Sequence, residues 1–365
     1  MRFDNSHWHS EQLKDSFNLF KGNGLAKSDL SMEGKECILY GHLYTTYLSE
    51  IIDEVVYKTS SKLKNAMYSN ENDVIIPASG ETPEDIAKAC CIKKAGVLLG
   101  GDLNILRTTL HDGAFTSYQL NSKRKYQIAK LAVGKTIVHL HNDDLKNLIL
   151  YFPDSIQKEK KIATFLHLID KRISTQKKII RVLEAQKKVI SHKIYNNINA
   201  KTKLGNLITY EKKTDHKSED GLNDGIYPFY TNEENTTKFF NSYDYDGLYI
   251  LANTGGKANF KLVDGKFAVM SDTLVIKFKQ RELAKFYIDY FVNNRVFINQ
   301  NYFAGSGLKH LNKKAFLNFE IPFVENNVEH ISYLFTLLNK KIIIAKKILS
   351  LYEKQKQYLL NHMFI

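Results

Sequence analysis

One stretch of the chain has the residue types of a phosphate-binding loop. Gly134, Lys135 and Thr136 match the end of the pattern GxxxxGK[ST], in which backbone amides and a lysine hold nucleotide phosphates. The pattern also requires a glycine five residues before Gly134, but that position is Ala129. We therefore expect residues 134–136 to form a backbone turn beside a strand or helix, and not a nucleotide site.

The other catalytic patterns are incomplete as well. Asp154, Glu159 and Lys160 resemble the PD…ExK pattern of nucleases, but their spacing is too short. They also fall at a predicted helix start, where the helix dipole favours acidic side chains. The sequence contains no GxGxxG dinucleotide fingerprint and no Asn/Asp-Pro-Pro-aromatic tetrapeptide of DNA methyltransferases. The residues therefore predict a chain without catalytic chemistry of its own.

Composition and charge indicate the partner and the compartment. The chain has 365 residues, 43% of them hydrophobic, with a net charge of +13 and a pI near 9.3. This charge favours a polyanion as partner, most simply nucleic acid. Cys37, Cys90 and Cys91 are too few and wrongly spaced for a zinc site or a disulfide framework, so no metal is expected. Because the opening residues lack the apolar core of a signal peptide and no long apolar run occurs, we expect a cytoplasmic protein that meets no membrane.

A binding protein needs elements that position its contacts, and here they form an internal repeat. Residues 152–195 align without a gap with residues 321–364, so that Pro153 recurs as Pro322 at an offset of 169. A constant offset over such a length indicates two copies of one unit. A duplicated basic unit suits a partner that is itself roughly symmetric.

Both copies of the repeat have the pattern of a paired long helix. Apolar side chains recur every seven residues and again four positions later, which is typical of a coiled-coil seam. Lys187 and Lys356 occupy the same position at the edge of this seam. Each helix needs an apolar partner, and the nearest candidate is the other copy, so the pair either only holds the protein together or also sets a distance between two domains. The predicted helix-pairing residues are Ile162, Leu166, Ile169, Ile173, Ile180, Leu183, Ile190, Ile331, Phe335, Leu338, Ile342, Leu349, Tyr352 and Leu359.

The segments in front of the two helices have mixed patterns. Strand patterns at residues 73–79, 249–253 and 273–278 alternate with helical patterns at residues 83–94 and 283–293. We therefore predict an α+β fold: two tandem mixed α/β domains, each followed by a long helix, with the helices paired as an antiparallel coiled coil of pseudo-twofold symmetry. The predicted boundaries are 1–152 for the first domain, 153–199 for the first long helix, 200–321 for the second domain and 322–365 for the second long helix.

Three loops in each domain carry residues suited to reading DNA. Sequence readout needs polar donors and acceptors that enter a groove, with Lys or Arg near the phosphates, and glycine allows close backbone approach. Any one of these loops could be an ordinary polar turn, but all three recur in both copies. In the first domain the candidates are Tyr40, Gly41, Tyr44 and Thr45, then Ser79, Gly80 and Thr82, then Lys135, Thr136 and His139. In the second domain they are Tyr230, Thr231 and Asn232, then Thr254, Gly255, Gly256, Lys257 and Asn259, then Ser306, Gly307, Lys309 and His310.

This order of elements resembles the specificity subunit of a type I restriction–modification system. The runs GLYILANTGGKANFKLVDGKFAVMSDTLVIKF (247–278) and AGSGLKHLNKKAFLNFEIP (304–322) resemble the end of a target-recognition domain, and the helices resemble the family's two conserved regions. The first domain departs from the second, because VGKTIVHLHNDDLKNLILYFP (133–153) carries two extra residues before its helix.

The resemblance implies a DNA-binding subunit that reads a split, asymmetric target, with one half-site for each domain and a gap fixed by the helices. It also implies docking of two methyltransferase subunits, joined by a restriction–translocase subunit in the full complex. S-adenosylmethionine, ATP and Mg²⁺ would belong to those partners. The alternatives are a coiled-coil scaffold that bridges two protein partners without DNA specificity, and a stand-alone nuclease, which the missing carboxylate clusters disfavour.

Overall fold

The computed structural model describes residues 7–134, 136–233, 238–324 and 327–364. The chain divides into two compact units, the first formed by Met1–Lys177 with Lys347–Ile365 and the second by Lys178–Lys346. Each unit is a mixed α/β domain that also contains one half of each long helix. The predicted fold class, two mixed α/β domains each followed by a long helix, is confirmed.

The first unit is built from short strands and short helices. Its strands are β1 (His9–Gln12), β2 (Asn18–Lys21), β3 (Leu30–Ser31), β4 (Lys35–Ile38), β5 (Ile51–Ile52), β6 (Lys58–Thr59), β7 (Met67–Tyr68), β8 (Val74–Pro77), β9 (Ser79–Gly80), β10 (Cys90–Ile92), β11 (Leu98–Leu99), β12 (Leu103–Arg107), β13 (Val138–His139) and β14 (Ile149–Phe152). Its helices are α1 (Leu13–Ser16), α2 (His42–Thr45), α3 (Pro83–Ile86), α4 (Gly113–Leu120), α5 (Arg124–Leu131) and α6 (Asn142–Leu145).

Two five-stranded sheets form the centre of the described part of this unit. Their strand orders are β2-β12-β8-β10-β5 and β3-β6-β4-β11-β7. All four residues of β8 are buried, which explains its continuous apolar sequence. The ribbon β1-β14 closes the domain just before the first long helix.

The second unit has longer strands. They are β15 (Lys201–Lys203), β16 (Ile208–Thr209), β17 (Tyr227–Tyr230), β18 (Lys238–Phe240), β19 (Tyr245–Asn253), β20 (Phe260–Val269), β21 (Thr273–Phe278), β22 (Phe303–Ala304), β23 (His310–Leu311) and β24 (Glu320–Pro322). The helices are α8 (Leu204–Leu207), α9 (Arg281–Asn293), α10 (Arg295–Tyr302) and α11 (Lys313–Leu317).

One six-stranded sheet, in the order β16-β21-β19-β20-β17-β18, lies among the described residues of this unit. The helix α9 packs on this sheet with an apolar face that repeats every three or four residues. A second ribbon, β15-β24, closes this domain just before the second long helix, as β1-β14 does in the first.

The two long helices are α7 (Ile156–Asn196) and α12 (Val328–Met363). They run antiparallel within each unit, because Asp170 and Lys177 contact Lys356 and Glu353 in the first, and Glu184 and Tyr195 contact Lys346 and Phe335 in the second. In the first unit Lys177 lies 3.1 Å from Glu353, and in the second Lys346 lies 2.7 Å from Glu184. The repeat offset of 169 converts Lys177 into Lys346 and Glu184 into Glu353. The two ion pairs are therefore equivalent, and the duplication extends from the sequence to the side-chain contacts.

The predicted helix over residues 83–94 is wrong. Helix α3 ends at Ile86, and Cys90–Ile92 forms β10 in the interior of a sheet, between β8 and β5. The hydroxyl of Thr82 caps α3 by accepting from the Asp85 amide (3.2 Å), but the helix does not extend further. A short apolar run cannot be assigned to helix or strand by its pattern alone, and complete burial on both faces selects the strand.

Candidate nucleic-acid interface

In the second unit the three predicted loops come together. The Asn253 side-chain amide donates to the Asn232 carbonyl (3.1 Å), which joins the first loop to the strand that leads into the second. The Gly256 amide donates to the Lys309 carbonyl (2.8 Å), and the Leu311 amide donates to the Thr254 carbonyl (2.8 Å). Residues far apart in sequence thus form one polar surface, which we call the second loop cluster.

A glycine turn shapes the third loop in each unit. Gly305 has a φ of +143°, and a Cβ there would lie 2.7 Å from the Leu308 carbonyl oxygen. Gly134 has a φ of +145°, and its Cβ would lie 2.0 Å from the Ile137 carbonyl oxygen. Only glycine fits such a turn. Gly134 therefore belongs to a tight glycine turn in the first unit, as Gly305 does in the second.

Exposure varies among the predicted residues of the second loop cluster. Thr254 is held in place, because its amide and its hydroxyl both donate to the Asp272 carbonyl. Thr254 and Gly255 are buried, whereas Tyr230, Thr231, Asn232, Gly256 and Asn259 are half-buried. Lys257, Ser306, Gly307, Lys309 and His310 are exposed. The exposed set contains the two lysines, as a surface for an anionic partner requires.

In the first unit the second and third loops also meet. Strand β13 pairs with β9, and the Ser79 hydroxyl lies 3.1 Å from His139 Nδ1. The equivalent contact in the second unit is the bridge between Gly255 and His310. Ser79 and Gly80 are buried, while Thr136 and His139 are exposed. Lys135 lies outside the described residues.

The remaining candidates of the first unit lie around Tyr44. Burial raises the pKa of Tyr44, and the negative charges of Asp85 and Glu81 nearby raise it further. Tyr44 therefore lies close to the loop that follows Ser79. Three other candidates form hydrogen bonds with nearby backbone. The Thr45 hydroxyl donates to the Gly41 carbonyl, and the Thr82 hydroxyl caps α3.

Next to the second loop cluster lies a cleft of about 740 Å³ that the sequence did not predict. Helix α10 lines it with Arg295, Val296, Asn299 and Gln300. The remaining lining residues are Asn232, Asn253, Gly255, Gly256, Lys257, Ala258, Asn259, Asp272 and Leu308. We call this the amide cleft, because five of its side chains end in a carboxamide. Five of its lining residues belong to the predicted loops, and the sequence signal for the wall formed by α10 is the polar run at residues 299–301.

The charges at this surface are available to a ligand. Within the described residues, Lys257, Lys309 and Arg295 lie beyond ion-pair distance of every carboxylate. Asp272 is the acidic residue among the cleft's lining residues. A cationic surface that also offers amide donors and acceptors is suited to phosphates and base edges together.

The predicted helix-pairing residues are all buried or half-buried. In the first unit Leu166, Ile169 and Leu359 share one hydrophobic cluster. In the second, Phe335 is at the centre of another, with Ile331 packed against it.

A second apolar stripe lies beside the helix seam and is exposed. In the first unit it consists of Phe165, Leu168, Ile348, Leu351 and Tyr358. In the second unit it consists of Leu334, Leu337, Ile179, Val182 and Val189. The repeat offset of 169 converts each residue of one set into a residue of the other. We call these the first and second helix patches; the second unit also exposes Tyr333, Ile343 and Ile344.

Neither a metal site nor a membrane span is found in the parts of the chain that the structure describes. No three His, Cys, Asp or Glu side chains of these residues group closely enough to hold an ion. None of the described helices is long and apolar enough to cross a bilayer.

The fold defines a protein with two tandem mixed α/β domains, each followed by a long helix. The family described as the type I restriction modification DNA specificity domain matches residues 5–185 and 199–353, and the chain belongs to this family. The resemblance to type I specificity subunits is thus confirmed, and recognition of a DNA target is the function that the family implies.

Two relatives are named as type I specificity subunits. One, from Mycoplasma genitalium, is 23% identical over 242 residues, which cover 62% of this chain and 58% of the relative. The other, from Mycoplasma pneumoniae, is 24% identical over 314 residues, which cover 76% of this chain and 79% of the relative. The first alignment thus spans less than two thirds of its relative.

Two solved structures have the same fold. The crystal structure of the type I restriction–modification S subunit from M. genitalium matches with a TM-score of 0.73 at 19% identity, covering 100% of this chain and 98% of that chain. A structure from work on complex assembly and conformational transition of the type I system matches with a TM-score of 0.56 at 10% identity, covering 97% and 96%.

Proposed function

We propose that this chain selects the DNA target of a type I restriction–modification complex. Each domain reads one half-site of a bipartite, asymmetric target, and the helix pair fixes the unread gap between them. The observation that carries the proposal is duplication with divergence. The two units share a glycine hairpin beside a polar loop cluster, but the side chains in the clusters differ. Two domains of one fold with different contact residues suit two different half-sites.

The helix patches support docking of two methyltransferase subunits. Each patch exposes five apolar side chains, and the two patches are equivalent under the repeat. Exposed apolar groups at three- and seven-residue spacing on a helix already paired along another stripe favour a helical partner. Equivalent patches suit two copies of the same subunit.

Catalysis is assigned to those partners. The sequence lacks the methyltransferase tetrapeptide and a complete phosphate-binding loop. S-adenosylmethionine, ATP and Mg²⁺ would therefore be bound by methyltransferase and restriction–translocase subunits, and this chain would contribute the specificity.

A stoichiometry experiment tests the docking proposal. Native mass spectrometry of the chain expressed with its methyltransferase subunit should show two copies of that subunit. Leu168→Asp, in the first helix patch, and Leu337→Asp, in the second, should each remove one copy, because burying an unpaired carboxylate costs several kcal/mol. Ser174→Asp is the control, since Ser174 is exposed on α7 six residues from Leu168, about 120° around the helix.

The outcomes separate the candidate functions. Two copies retained in Leu168→Asp would contradict docking at the first patch. A complex with two partners but no DNA affinity would favour the scaffold function, for which the exposed helix patches are the supporting observation.

A further inference from the structure

Helix α10 has the exposure of a contact element. Of its eight residues, all of which are described, Ile298 alone is buried. Val296 and Phe297 are 63% and 47% exposed, and polar side chains lie next to them. Ile298, with Phe297 and Tyr302 against Phe319, anchors the helix to the domain, and the side with Arg295, Val296 and Gln300 stays exposed and can enter a groove without loss of packing.

The chemistry of the amide cleft favours base edges over phosphates. Arginine pairs with guanine, and Asn or Gln with adenine, through two hydrogen bonds each in the major groove. Arg295 and Gln300 are exposed at the cleft and supply both types. The carboxylate of Asp272 would repel a phosphate, whereas it and the amide oxygens around it can accept hydrogen bonds from base amino groups.

One residue that lines the cleft has a hydrogen-bond acceptor without a donor among the described residues. The side-chain oxygen of Asn232 is buried and has no hydrogen-bond partner among the described residues. A buried polar atom left unpaired costs about 1–3 kcal/mol, so a rotation of the Asn232 side chain that brings this oxygen to a ligand N–H is favoured. The exocyclic amino groups of adenine and cytosine are such donors.

Helix α10 is fixed relative to the glycine loop. The Asn299 side-chain oxygen accepts from the Ala258 amide (2.9 Å), which joins the two walls of the cleft. Asn299 is therefore a positioning residue, whereas Arg295 and Gln300 remain free to contact DNA.

The first unit has a helix at the equivalent position in its sequence, just before the glycine turn. Helix α5 ends three residues before Gly134, and α10 ends three residues before Gly305. Helix α5 exposes Tyr126 and Gln127, and the Lys130 ammonium lies 4.4 Å from the centre of the Tyr126 ring. The element recurs with different side chains, as expected for readers of different half-sites.

We propose that α10 is a base-reading helix of the second domain, with Arg295 and Gln300 as its specificity-determining side chains. This inference rests on the proposed function, since it names contacts within the half-site that this domain reads. It adds a helix to a surface that the sequence predicted as loops alone.

The test uses the full chain in complex with its methyltransferase subunit. The methylated motif of cells that express the wild-type pair defines the target. Competition binding then compares that target with duplexes in which each base pair is replaced in turn. Gln300→Ala should lose about tenfold to a hundredfold of the discrimination at one or two base pairs of a single half-site. Arg295→Lys keeps the charge but loses the two-pronged contact, so it should relax a different base pair of the same half-site.

Asn301→Ala is the matched control. Asn301 is an exposed amide on the same helix, donates to the Phe297 carbonyl and does not line the cleft. The Asn301→Ala variant should discriminate between the target and the substituted duplexes as well as the wild type does.

Three results would overturn the inference while leaving the proposed function intact. They are unchanged discrimination in both variants, equal weakening on every duplex, which indicates phosphate contact alone, and altered discrimination in both half-sites. Failure of the wild-type complex to methylate any defined motif would instead contradict the proposed function itself.

Discussion

The cluster around Lys356 yields a quantitative prediction. Lys356 bonds Glu50 and lies 2.6 Å from Asp170, and all three side chains are largely buried. Burial alone would raise the pKa of Glu50, but Lys88 and Lys356 more than offset it and lower the pKa from 4.5 to about 2. That shift corresponds to about 3 kcal/mol of stabilisation.

The substitution Lys356→Met should therefore destabilise the first unit by about 3–5 kcal/mol at pH 8, the range for removing one partner of a buried ion pair. Glu50 keeps Lys88 at 3.5 Å, so the loss of the lysine charge affects Asp170 more than Glu50. Burial, followed by the charge of Glu50, already raises the pKa of Asp170, and loss of the lysine raises it further. A carboxyl group with a raised folded pKa favours the folded state at low pH, and this benefit is lost as pH rises through that pKa. The loss in Lys356→Met should thus be smaller at pH 5 than at pH 8.

Urea unfolding followed by tryptophan fluorescence measures this loss. Trp8 is the chain's single tryptophan, and its ring lies 5.6 Å from that of Phe115 in the core of the first unit. Lys354→Met, two residues away and exposed, should change the free energy of unfolding by less than about 0.5 kcal/mol. Replacing Lys356, Glu50 and Asp170 together by Met, Gln and Asn should recover much of the loss, because no buried charge is left unpaired. A loss below about 1 kcal/mol at pH 8, or one independent of pH, would refute the reasoning.

Three further predictions concern function. DNA affinity should fall by about 10³ or more between 50 and 200 mM salt if six or more phosphates are neutralised. Lys257→Ala or Lys309→Ala should make this dependence less steep in a filter-binding titration. A wild-type affinity that does not change with salt would favour the scaffold function. Exchange of residues 1–151 for another such domain should change one half-site of the methylated motif, whereas a change in both would exclude independent reading. The purified chain, incubated with DNA, Mg²⁺ and S-adenosylmethionine, should neither methylate nor cut the DNA. A rate of methylation or cleavage that rises with the concentration of the purified chain would contradict its assignment as a subunit without catalysis.

The repeated features of the fold could be predicted from the sequence. Seven-residue periodicity identified the long helices, and the offset of 169 identified Lys187 and Lys356 as equivalent. The two lysines make equivalent contacts in the structure: Lys187 bonds the buried carboxylate of Asp289 in the second unit, and Lys356 bonds that of Glu50 in the first. The helix patches obey the same offset, but the seven-residue pattern identified only the pairing seam.

The amide cleft could not be predicted in this way. Its walls come from residues near 232, 256 and 297, which only the tertiary fold brings together. The three loops themselves could be predicted because each recurs in both domains, whereas their contacts in the second unit follow only from the fold. Which of their side chains remain exposed depends on packing, as buried Thr254 and exposed Lys257 show.

The most direct test of the central claim is the methylated motif itself. Long-read sequencing that detects methylated bases should be applied to cells expressing this chain with the methyltransferase subunit of the proposed complex. We expect one motif made of two different half-sites separated by a gap of fixed length in which base identity does not matter. An uninterrupted motif, two identical half-sites or methylation without sequence preference would contradict the account.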